Sequence, residues 1–105
     1  MTTRSKKSEA MKFLDGAIGH KQTFGSMIRA LRLSDGASIQ EYAVRLKISR
    51  QQLSDIEHGT RVISEEKAAQ FAVKLGHSEK SFIRQVIEDR LSRQGLKFTV
   101  ELDAA

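Results

Sequence analysis

A chain of 105 residues, 39% hydrophobic and 30% charged, has the composition of one globular domain, long enough for a single core and too short for a second of similar size. No cysteine is present, which excludes a disulfide framework and a thiolate metal site, and no apolar run approaches the ~20 residues that a membrane-spanning helix needs. The formal net charge of +5 favours an anionic partner without choosing among DNA, RNA and an acidic lipid surface.

Proline is absent, so helix boundaries are read from N-caps and glycines. The start Met1-Thr2-Thr3-Arg4, followed by Lys6 and Lys7, carries no apolar stretch of signal-peptide type, and the expected setting is the cytoplasm. Residues 1–21 read as a basic N-terminal extension. Within it Ser8 caps a short helix bearing Met11, Phe13, Leu14, Ala17 and Ile18, whose end is weakened by Gly16 and Gly19.

From about Thr23 a helix places Phe24, Met27, Ile28 and Leu31 on one face, and Ser34-Asp35-Gly36 ends it. Ser38 with Glu41, and Ser49 with Gln52, are two capping boxes that start short helices eleven residues apart. The first buries Ile39, Tyr42, Ala43 and Leu46, and the second buries Leu53 and Ile56 before Gly59 closes it. Only Lys47, Ile48 and Ser49 lie between them, a turn of the length used in helix-turn-helix pairs.

Ser64 caps a further helix with Glu65 and Glu66 in its first turn and Ala68, Ala69, Ala72 and Leu75 facing inward, and Gly76 stops it. The last helix runs from Ser78 to Gln94, with Phe82, Ile83, Val86, Ile87 and Leu91 on one side and Gly95 behind it. The period then changes. Leu96, Phe98, Val100 and Leu102 alternate with Lys97, Thr99 and Glu101, the pattern of a half-buried strand. A lone strand is unstable in water, so its partner is expected in another chain; a disordered tail is the competing reading.

The segment Ser38 to Arg61 resembles the helix-turn-helix of the lambda repressor/Cro family, also called the XRE family. The resemblance rests on Gln40, Ala43, Ile48, Ser49, Leu53, Ile56, Glu57 and Gly59, and continues through Ser64, Ala69, Ala72, Leu75 and Gly76 to cover residues 24 to 90. It implies an all-α, compact five-helix lambda-repressor-like DNA-binding domain over residues 22–94; the strand read from the alternation at 95–105 is expected to pair across a dimer. Two positions depart from the family pattern: Lys47 stands where a turn glycine is usual, and Ile63 where a proline is usual, so a strained or re-shaped turn is expected.

The resemblance implies that the second helix of the pair enters the major groove with Arg50, Gln51, Ser54 and Asp55 toward base edges. Arg50 suits guanine and Gln51 adenine, whereas Asp55 either accepts from cytosine or holds Arg50 in place. Gln40, Ser49, His58, Thr60 and Arg61 are assigned to phosphates. Glu57 on the inner side of that helix is costly unless paired, and the resemblance names Arg32 as its partner. The expected partners are a palindromic operator in double-stranded DNA, a second copy of the chain as homodimer and, on an antitoxin reading, a toxin protein. The layout as a whole is similar to antitoxins of HigA and HipB type, which repress their own operon and neutralise a toxin, the toxin contacts being expected in the first 20 or last 10 residues. A stand-alone or prophage-type repressor is the alternative.

Other chemistry has less support. His20, His58 and His77 are widely spaced without cysteine, so neither a metal nor a cofactor is expected. Glu65 with Glu66, and Glu88 with Asp89, point about 100° apart on their helices, so no pair converges on a substrate and no catalytic residue is named. Gly16 to Gly19 followed by His20-Lys21 is faintly similar to a KH-type RNA clamp but lacks the strands such a domain needs.

Overall fold

The computed structural model describes residues 22–105, and in it five hydroxyl side chains mark five helix starts. The helices are α1 Phe24–Ser34, α2 Ile39–Leu46, α3 Arg50–Glu57, α4 Glu65–Leu75 and α5 Glu79–Arg93. Thr23, Ser38, Ser49, Ser64 and Ser78 each accept a hydrogen bond from the backbone N–H three residues on, and the first three close full capping boxes with Ser26, Glu41 and Gln52. Each such cap satisfies a donor that the helix itself cannot, worth about 1 kcal/mol. The helix read from Ser8 and the KH-like stretch at Gly16 to Gly19 lie outside the described residues.

All five helices end in one way. Ala37, Ile48, Thr60, His77 and Leu96 each donate their N–H to a carbonyl five residues back, at Arg32, Ala43, Asp55, Ala72 and Leu91. The residue before each donor sits in the left-handed region: Gly36, Lys47, Gly59, Gly76 and Gly95. Four of the five stops are glycine, and the exception is the turn between α2 and α3.

The core is built by Phe24, Ile28, Tyr42, Ala43, Leu46, Leu53, Ile56, Ala68, Phe71, Ala72, Phe82 and Val86, with Ile63 and Leu75 at its margin. Five of its side chains, Tyr42, Phe71, Ile28, Leu46 and Leu53, are wholly enclosed, each worth roughly 2 kcal/mol of burial. On α4 the inward positions are Ala68, Phe71, Ala72 and Leu75, so Phe71 takes the place expected of Ala69, which is only half-buried. The spacing i, i+3, i+4, i+7 from Ala68 selects Phe71 and leaves out Ala69.

α5 lies across α4 and reaches α1. Arg90 makes a two-point ion pair with Glu65 at 2.6 and 2.9 Å, which holds the Glu65 carboxyl down to about 2. Farther round, Asp89 Oδ2 accepts the Phe24 N–H at 2.6 Å, and Gln85 donates both to the Gln22 carbonyl and to Asp89 Oδ1. Burial at this junction raises the Asp89 carboxyl above its ordinary value against the lowering effect of those bonds. Among the described residues no helix is long and apolar enough to cross a membrane.

The expected C-terminal strand does not form. Residues 95–105 carry no ladder; they run back beside α5, where the Val100 N–H donates to Glu88 Oε2 at 2.9 Å. The four apolar positions are split, Val100 and Leu102 being half-buried while Leu96 and Phe98 are 43% and 62% exposed. Alternation supplies two faces, but a strand exists only through hydrogen bonds to a neighbouring strand, and every other element described in this chain is a helix.

Candidate nucleic-acid interface

α2 and α3 are joined through Lys47, whose φ of 59° and ψ of 44° lie in the left-handed region. The usual turn geometry is therefore kept despite the missing glycine, at a cost of about 1 kcal/mol for a residue with a Cβ. Ile48 is half-buried against the core, and Ser49 starts α3 at once. Ala43, 1% exposed, lies in this core with Leu46, Leu53 and Ile56, where a larger side chain would drive the two helices apart.

Leu53 and Ile56 fasten one face of α3 to the core, so the opposite face is open. Arg50 and Gln51 are exposed there and Ser54 and Asp55 half-exposed, within two turns of one another. Gln51 Nε2 donates to Asp55 Oδ1 at 2.9 Å, whereas Arg50 has no ion pair among the described residues. Asp55 is thus bonded to Gln51 and not to Arg50. At the end of α3 the His58 ring Nδ1–H donates to the Ser54 carbonyl at 2.7 Å, and the Thr60 hydroxyl and N–H both reach the Asp55 carbonyl.

Behind this face α3 is clamped. Arg32, from the last turn of α1, donates through Nε and Nη2 to the two carboxylate oxygens of Glu57 at 2.8 and 3.0 Å, and through Nη1 to the Ala37 carbonyl at 3.1 Å. The side chains are 12% and 3% exposed, and the Glu57 hydrogen bonds raise the Arg32 pKa further above its ordinary value. A second fastening was not read from the sequence. Gly25 in the first turn of α1 sits so close to α3 that a Cβ placed on it would lie 2.2 Å from the Ile56 carbonyl oxygen and 3.0 Å from that of Glu57. The Tyr42 hydroxyl donates to Asp35 Oδ2 at 2.7 Å, tying α2 to the turn before it.

The flanks of α3 are polar and exposed: Gln40 on α2, Ser49 at the turn, and His58, Thr60 and Arg61 behind the helix. Arg45 stacks over the Tyr42 ring with its guanidinium carbon 5.2 Å from the centroid, and Lys47 extends the run of cations along the same pair of helices. Ser49 spends its oxygen and its N–H on the Gln52 capping box, which leaves its hydroxyl proton to donate outward.

A family model described as a helix-turn-helix domain matches residues 23–80, more than half of the chain. The chain belongs to this helix-turn-helix family. The match begins at the Thr23 cap and ends at the start of α5, so it takes in α1 to α4 with the Arg32–Glu57 clamp and leaves most of α5 and the C-terminal segment outside. Comparison with curated proteins and with solved structures returns no match. The helix-turn-helix domain makes the chain a DNA-binding regulator in type, its second helix being the element that such modules lay in the major groove.

Proposed function

We propose that this protein is a sequence-specific, DNA-binding transcriptional repressor that reads its operator through α3. The observation that carries the reading is the contrast between the two sides of that helix: Leu53, Ile56 and Glu57 are locked inward while Arg50 and Gln51 are exposed and Ser54 and Asp55 half-exposed. Rigid presentation of polar side chains is what base readout needs. Arg50 and Gln51 supply the base contacts, and Gln40, Ser49, His58, Thr60 and Arg61 set the register on the phosphates. The net charge of +5 supplies the counterion-release term.

The protein acts as a homodimer on a palindromic operator in the cytoplasm, with half-sites about one helical turn apart. Leu96 and Phe98, two apolar side chains left exposed beside α5, support a second copy at that end. The basic extension, the helix-turn-helix core and the apolar C-terminal segment together support an autoregulating antitoxin. Co-expression with each adjacent reading frame tests this: growth arrest by the neighbour, rescue by this protein and a stable complex are expected. No toxicity and no complex would make it a stand-alone or prophage-type repressor using the same helix.

The DNA reading is tested by binding isotherms over a range of salt. Arg61→Ala is expected to weaken all duplexes about equally and to lower the salt slope by about one, whereas Gln51→Ala changes the preferred sequence. Loss of sequence preference in Arg61→Ala would contradict the assignment of that side chain to a phosphate.

A further inference from the structure

We infer that Asp55 is a positioning residue for Gln51, holding its amide in the one orientation that selects adenine over guanine; this rests on the proposal that α3 reads DNA. The contact is Gln51 Nε2 to Asp55 Oδ1 at 2.9 Å, between residues four apart on the exposed face of α3. An ionised carboxylate only accepts, so the amide nitrogen must be the end that faces it and the amide oxygen must turn away. Gln51 then offers the groove one acceptor, Oε1, and the N–H of Nε2 that Asp55 does not use.

That acceptor–donor pair matches adenine, whose major-groove edge shows the N6 amino donor and the N7 acceptor. Guanine shows two acceptors, O6 and N7, and meets them best when both amide N–H groups point outward. Such a rotation would press Oε1 against the Asp55 carboxylate. Asp55 therefore acts by excluding the wrong orientation of its neighbour. The backbone that carries it is tied down, because the Asp55 carbonyl accepts from the Thr60 N–H at 2.9 Å and from the Thr60 hydroxyl at 3.2 Å. A carboxylate on this face also repels phosphate, so its presence lowers affinity for every sequence while it sharpens the choice of one base.

The experiment starts from the duplex that the wild-type full chain enriches from a random pool, with the base pair that depends on Gln51 located by Gln51→Ala. Wild type, Asp55→Asn, Asp55→Glu, Gln51→Ala and the double substitution Gln51→Ala with Asp55→Asn are then titrated with the adenine and guanine versions, each variant checked for folding by its melting curve. Asn is isosteric with Asp but can donate, so Asp55→Asn should bind all duplexes more tightly and lose about tenfold of adenine-over-guanine preference. Asp55→Glu, still acceptor-only, should keep most of the preference. In the Gln51→Ala background the Asp55 substitution should raise affinity and leave the remaining preference unchanged. A preference that stays within twofold in Asp55→Asn while Gln51→Ala abolishes it would overturn the positioning role alone. A base preference that follows Asp55 in the absence of Gln51 would make Asp55 a direct reader and overturn it likewise. If no duplex is enriched, or Gln51→Ala changes nothing, the reading of α3 fails and the inference fails with it.

Discussion

Arg32 and Glu57, twenty-five residues apart, meet through two parallel hydrogen bonds of 2.8 and 3.0 Å on the inner side of α3. The guanidinium matches the carboxylate at both oxygens, and its remaining contact to the Ala37 carbonyl ties in the turn before α2. One side chain from α1 thereby anchors the last residue of α3 and the turn that leads into α2. Arg32→Ala would leave a carboxylate only 3% exposed without a counter-charge, so the expected loss is about 3 kcal/mol in urea unfolding. An unchanged unfolding midpoint would show that the pair is not a clamp.

Gly25 gives the opposite kind of test, because the substitution improves helix propensity and still should harm the fold. Alanine is favoured over glycine in a helix by about 1 kcal/mol. Here its Cβ would meet the Ile56 carbonyl oxygen at 2.2 Å, a backbone atom that cannot step aside. Gly25→Ala should therefore destabilise by about 2 kcal/mol and tilt α1 from α3. A gain in melting temperature would mean that the two helices are less closely held.

Tyr42 is the only tyrosine and there is no tryptophan, so phenolate absorbance reports it alone. Burial first, and then the hydrogen bond to Asp35, push its hydroxyl up to about 12 in the folded chain, against about 10 when unfolded. The folded state thus holds the proton more tightly. The stability this contributes is complete below pH ~10 and is lost as the pH rises toward 12. Spectrophotometric titration should find a midpoint near the higher value in buffer and near the lower one in urea, and Tyr42→Phe should remove that segment of alkaline destabilisation. A native midpoint at the ordinary value would place the hydroxyl in solvent.

Lys47 carries the remaining strain. Its φ of 59° is paid for by the rest of the turn, and glycine adopts that region freely. Lys47→Gly should stabilise the protein by up to about 1 kcal/mol after the extra entropy of glycine in the unfolded chain is subtracted. Destabilisation would mean that the lysine side chain makes a compensating contact.

What was legible in the sequence was local. Capping boxes at Ser38 and Ser49 involve residues three apart, and the turn of three residues between α2 and α3 follows from them. The Arg32–Glu57 pair came from resemblance, since nothing in spacing tells that two residues twenty-five apart will meet. Gly25 carries no such local signal, because its meaning depends on where α1 crosses α3. Arg50 lies five positions from Asp55 and about 140° round the helix, whereas Gln51, four away, stands about 40° from it and makes the contact. The alternation from Leu96 to Leu102 was real as a pattern and insufficient as a strand, because the hydrogen-bonding partner that defines a strand is not a property of the segment itself.

The central claim is that the open face of α3 reads a DNA sequence. Selection from a pool of random duplexes, run in parallel with the wild-type full chain and with Arg50→Ala and Gln51→Ala, tests it most directly. The account predicts that wild type enriches one inverted-repeat motif and that each substitution relaxes the choice at a different position of the half-site while the protein stays folded. Enrichment of the same motif by all three, or of none by the wild type, would contradict it.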